Sequence, residues 1–158
     1  ATVVRTVRRA YELRDADDRL LAEVADDAVS LLDGRRGSAA LRELARSFDG
    51  TGLQVDVLVD GDERVLDERR ELVLFRVVQE ALTNALRHSG GSSVSVRLGF
   101  GADAVRLSVA DDGRGSVAES GFGLTSLADR VREVGGALRT GNDTGGGFLI
   151  RVDLPEPA

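Results

Sequence analysis

The chain has 158 residues, 42% apolar and 30% charged, values of one globular domain rather than of a disordered segment. It lacks cysteine and has a single histidine, which excludes disulfides and thiolate metal sites and argues against zinc. Its formal charge of −6 argues against a general nucleic-acid surface.

All 21 basic residues are arginine, so a phosphate-binding cation here has to be Arg, the backbone, a metal or His88. No run approaches the roughly 20 apolar residues of a membrane span, and no secretion leader is evident. The expectation is a soluble, cytoplasmic piece without nucleic-acid or membrane contact of its own. Its parent can still be membrane-anchored.

Residues 3 to about 33 have helical spacing, with Val3, Val7, Ala10 and Tyr11 in one apolar patch and Leu21, Val24, Ala28 and Leu31 in another. The acidic RDADD between them is either a solvated turn or a break. Gly34 and Gly37 close this segment, and residues 38–48 form a short helix with Ser38 as its cap. Next, Leu53, Val55, Val57 and Val59 alternate as in a half-buried strand. A turn at Asp60-Gly61 leads to a long helix from about Asp67 to His88.

Alternation returns at Val94, Val96, Leu98 and Phe100 and, after a Gly101-Ala102-Asp103 turn, at Val105, Leu107 and Val109. A glycine-spotted stretch over 112–123 precedes a helix to about Val134, closed by Gly135-Gly136. Two strands follow, near 137–141 and 146–154. The order predicts an α+β fold, a two-layer sandwich with a mixed, mostly antiparallel sheet and its helices on one face. Two units are expected, an N-terminal helical segment over 1–37 and a second domain over 38–158.

The helix over 67–88 has two different faces. At 100° per residue, Phe75, Val78, Leu82, Ala85 and Leu86 share one arc, and Glu80, Asn84 and Arg87 lie opposite with His88 at the edge. Such a polar face is ordinarily just the solvated side of an amphipathic helix. Asn has poor helix propensity, however, and its amide one turn from a carboxylate suits a hard cation such as Mg²⁺.

Two glycine boxes add to this. VADDGRGS places Asp111 at a strand end before Gly113 and Gly115, where a carboxylate can accept from an exocyclic amine such as that of adenine. GFGLTSLADR opens a helix with glycines, and free N–H groups at a helix start form a ready phosphate site. Either box alone is weak, since Asp-Gly turns are common.

Together, FRVVQEALTNALRHSG, VADDGRG and GFGL resemble the N box and the two glycine boxes of bacterial sensor histidine kinases. Those kinases share an ATPase superfamily, and its Bergerat-type ATP-binding fold, with DNA gyrase, heat-shock chaperones and mismatch-repair proteins. SLADRVREVGGAL and GGFLIRVDLP are similar to the subfamily that works with helix-turn-helix response regulators. The likeness covers about residues 38 to 155.

By resemblance, Asp111 would bind the adenine amine, with Gly113 and Gly115 shaping that wall. Asn84 would ligate Mg²⁺, and Glu80 would stand near the metal or its water as the catalytic residue. Arg87 and His88 would lie near the phosphates, and Gly121, Gly123 and Leu124 would form the far side. A short lid over 116–120 implies modest affinity for ATP.

The implied function is transfer of the γ-phosphate to a histidine on a dimerisation domain of the same kinase, in a homodimeric parent that then serves a response regulator. Residues 1–37 would be the end of that dimerisation domain, and the fragment alone would not phosphorylate itself. Two departures stand out. Phe148 follows Gly147 where the family has a hydroxyl residue, and no phosphoacceptor histidine is evident, AYELRD with Arg14 matching the acceptor motif more by chance than by kinship. They leave room for a degenerate nucleotide-binding module. A serine kinase that sequesters a sigma factor is the other alternative.

Overall fold

A computed structural model describes residues 37–48, 50–86, 93–113, 121–142 and 147–156, with the backbone alone for 121–123. The expected helices over 3–33 lie outside the described residues. The elements are α1 (Gly37–Arg46), β1 (Gln54–Gly61), α2 (Glu68–Asn84), β2 (Ser93–Phe100), β3 (Ala104–Asp111), α3 (Gly121–Glu133), β4 (Ala137–Asn142) and β5 (Phe148–Pro155).

The strands form one sheet in the order β1-β2-β3-β5-β4. β1 and β2 pair in parallel, as the intervening helix α2 allows, and the other pairs are antiparallel. Alternation in β2, β3 and β5 sends Val94, Val96, Leu98, Val105, Leu107, Val109, Ile150, Val152 and Leu154 into the core. There they meet Leu41 and Leu44 of α1, Val77, Val78 and Leu82 of α2, and Leu127 and Val131 of α3. The result is the expected two-layer α+β sandwich, with the three helices on one face of the sheet.

The helix ends follow from local chemistry, with one correction. Asp67 caps α2, accepting from the Arg70 amide at 3.0 Å. α3 ends in a Schellman turn: Gly136 N–H reaches Val131 O and Gly135 N–H reaches Arg132 O, both at 2.9 Å, and Gly135 has φ +85°.

Ser38, by contrast, lies inside the first turn of α1 rather than at its cap. Its amide (2.9 Å) and hydroxyl (2.6 Å) both donate to the Glu63 carboxylate, from the far side of β1. A carboxylate brought by tertiary structure thus satisfies the free amide of the first turn, a task that N-cap side chains usually perform. The third helix starts at Gly121, as the GFGL box implied, so Gly121 and Gly123 belong to its first turn.

Candidate functional site

Three elements bring their ends together at one edge of the sandwich. Asp111 ends β3, in register with Val94 at the start of β2 and beside the start of β5. The C-terminus of α2 lies near the same end, because only residues 87–92 separate Leu86 from Ser93. α3 runs antiparallel to α2: the Arg70 guanidinium, near the N-terminus of α2, donates to Val134 O just past the end of α3 at 3.0 Å. The two helices pack together, which turns the glycine-bearing start of α3 toward the Asp111 end.

The polar side of α2 is not a solvated face. Every residue from Val73 to Thr83 is buried, including Arg76, Gln79 and Glu80, the last only 9% exposed. A charged side chain is seldom buried unless it is paired, so this face is built for a purpose other than solubility. One turn beyond Glu80, Asn84 is half-buried, and its Nδ2 is shut from solvent with no hydrogen-bond partner among the described residues. A half-turn of its amide exchanges Nδ2 for Oδ1, so the group can present either a donor or an acceptor. The helix then widens into a π-type turn at Ala85 and Leu86, a local distortion frequent at functional sites.

Asp111 is held in one orientation. Its Oδ1 accepts from Gly113 N–H at 2.8 Å and lies 3.5 Å from the backbone N of Phe148. Its Oδ2 makes no hydrogen bond among the described residues, which leaves one acceptor of the carboxylate available. Asp112 braces the turn, with its amide on Ser93 O (3.1 Å) and its carboxylate accepting from Ser93 N–H (2.9 Å).

Gly147 closes this corner, and sequence reasoning had not counted it among the site residues. A β-carbon there would stand 1.7 Å from Asp111 O. The Gly145-Gly146-Gly147 run before the last strand was the available signal. Phe148, where the family has a hydroxyl, is buried in the core and faces Asp111 only through its backbone.

Of the other residues singled out from the sequence, Gly113 donates its N–H to Asp111, and Gly121 and Gly123 form the start of α3. Leu124 is buried in the core beneath that turn. Arg87, His88 and Gly115 lie outside the described residues.

This geometry has a counterpart. The family profile described as histidine kinase-, DNA gyrase B- and HSP90-like ATPase matches residues 69–158, more than half of the chain. The chain belongs to that ATPase family. It is 36% identical over 165 residues to the sensor histidine kinase LiaS of Bacillus subtilis, covering 90% of this chain and 46% of that protein. It is 34% identical over 117 residues to the sensor histidine kinase LnrJ of the same organism, covering 73% and 29%.

Among solved structures, the histidine kinase domain of a blue-light activated kinase from Erythrobacter litoralis aligns with TM-score 0.58 and 25% identity, covering 74% of this chain and 59% of that one. The mycobacterial sensor histidine kinase MprB aligns with TM-score 0.53 and 26% identity, covering 73% and 90%. The family, the ATP-binding fold and the kinase-type ATPase domain expected from the three boxes are therefore borne out. The chain spans less than half the length of these two curated relatives. Among the described residues no helix is long and apolar enough to cross a membrane.

Proposed function

We propose that this chain is the catalytic part of a two-component sensor histidine kinase, binding ATP with Mg²⁺ and delivering the γ-phosphate to a histidine on a dimerisation domain. The observation that carries this reading is the buried polar face of α2, whose Asn84 amide has no hydrogen-bond partner among the described residues, at the same end of the sandwich as a backbone-fixed Asp111.

In this reading Asp111 Oδ2 accepts the adenine amine, while Gly113, Gly115 and Gly147 let the backbone close around the base. Glu80 and Asn84 offer two hard oxygen donors, a set that fits Mg²⁺ because that ion takes few protein ligands beside phosphate and water. When bound, the ion would neutralise phosphate charge during transfer. Glu80 would lie near the ion or one of its waters as the catalytic residue, and Arg87 and His88 would contribute near the phosphates. Gly121 and Gly123 offer backbone N–H groups at the start of α3, and Leu124 anchors that turn from below. Transfer to the acceptor histidine then depends chiefly on positioning and charge neutralisation.

The acceptor histidine belongs to a dimerisation domain, of which residues 1–37 are the closing segment. The parent is a homodimer that passes the phosphoryl group to a response regulator.

Titration with ATP, with and without Mg²⁺, tests this reading. Wild type should bind, Asp111→Asn should abolish binding, and Asn84→Ala should remove only the Mg²⁺ dependence. Adding a histidine-bearing dimerisation domain should then yield phosphohistidine. Binding without transfer would instead favour a non-catalytic nucleotide module.

A further inference from the structure

The face of the sheet turned away from the helices carries an arrangement that the nucleotide site does not use. The register sets Leu58, Arg97, Ser108, Arg151 and Arg139 side by side in one row across all five strands. Arg151 and Arg139 are directly opposite one another on β5 and β4, and both are exposed. Like charges in that position repel. Neither has an ion-pair or hydrogen-bond partner among the described residues, although the chain as a whole has an excess of acid. Asp153, two positions along β5 from Arg151, is engaged with Arg106 at 3.1 Å, and Arg97 in the same row pairs with Asp60 at 3.5 Å. At the other end of the row Leu58 is 48% exposed, one of two large apolar side chains so exposed among the described residues.

We propose that this row is a docking surface for an acidic protein segment. Its carboxylates would sit on the Arg139–Arg151 pair and an apolar side chain of the same segment on Leu58. Arginines paired on neighbouring strands can each offer a guanidinium to one of two neighbouring carboxylates. Three strand spacings separate Arg151 from Leu58, about 14 Å. A nucleic acid or an anionic bilayer fits less well, because Asp56, Asp60 and Asp153 on the same face would repel an extended polyanion.

The test uses the isotope-labelled chain and a helical peptide of about 14 residues, with two glutamates one turn apart and a leucine about nine residues further on. Its controls are the same peptide with glutamine for glutamate, inorganic phosphate, and a DNA duplex. The acidic peptide should shift the amide resonances of Leu58, Arg139 and Arg151, with an affinity that falls as salt rises. An Arg139→Gln/Arg151→Gln variant should bind it about tenfold more weakly and bind ATP as before.

The proposal is overturned if the glutamine peptide binds equally well, if the variant keeps full affinity, or if phosphate or the duplex shifts the same amides more strongly. It also falls if the variant self-associates through β4, since the arginines would then serve to protect an edge strand.

Discussion

Gly147 and Asp111, thirty-six positions apart in the chain, are in backbone contact so close that a β-carbon on Gly147 would stand 1.7 Å from Asp111 O and 2.8 Å from its carbonyl carbon. The same approach brings the backbone N of Phe148 to 3.5 Å from Asp111 Oδ1. The orientation of the carboxylate therefore depends on a residue that carries no chemistry of its own.

Gly147→Ala should push β3 and β5 apart at the site while leaving the remainder of their pairing intact. Overpacking of this kind costs about 1–3 kcal/mol, and if it falls on Asp111 the affinity for ATP drops about tenfold. Calorimetric titration beside thermal melting checks this. Unchanged ATP affinity would show that Asp111 does not depend on this contact.

Gly136→Ala is the contrasting case at the other end of the sandwich. Its β-carbon would stand 2.5 Å from Leu154 Cδ2 and 2.6 Å from Asp153 O. The expected outcome is a similar loss of stability, about 1–3 kcal/mol, with no change in ATP affinity. Denaturant unfolding paired with a binding isotherm separates the two glycines.

Asn84→Ala removes a buried amide that has no partner among the described residues and places the best helix former in its position. Stability should hold or rise by up to about 1 kcal/mol, while affinity for Mg²⁺·ATP falls about tenfold and affinity for metal-free ATP is unchanged. A lower melting temperature together with intact Mg²⁺ dependence would assign Asn84 a structural role only.

Asp67→Ala removes the cap of α2 and should cost about 1 kcal/mol at neutral pH. The Arg70 backbone amide, and then its side chain, hold the Asp67 carboxyl below its ordinary value of 3.8. The folded state thus favours the ionised form. Its contribution is fully present above the unfolded value and is lost as pH falls through the lower, folded one. The stability difference between wild type and variant, followed by urea unfolding, should shrink as pH drops below 3.8. Asp67→Asn, which can still cap, should lose less at neutral pH.

Much of this protein was legible from its residues alone. Alternation at Val94, Val96 and Leu98, answered by Val105, Leu107 and Val109 across a Gly101–Asp103 turn, determined a hairpin because side chains in a strand point to opposite faces in turn. A helix starting near Asp67 and Gly135-Gly136 as a helix stop were equally local. The three boxes around Asn84, Asp111 and Gly121 carried the family.

Tertiary structure alone decided the rest. Glu63 caps α1 from 25 positions away, β1 lies parallel to β2, and the side of α2 that bears Glu80 is buried rather than solvated. Each of these depends on which elements are neighbours in space. Periodicity along a chain records which side of an element is apolar, but not what comes to cover the other side. The strand order β3-β5-β4 brings Gly147 against Asp111; the glycine run before β5 marks a close approach, but not which backbone it meets.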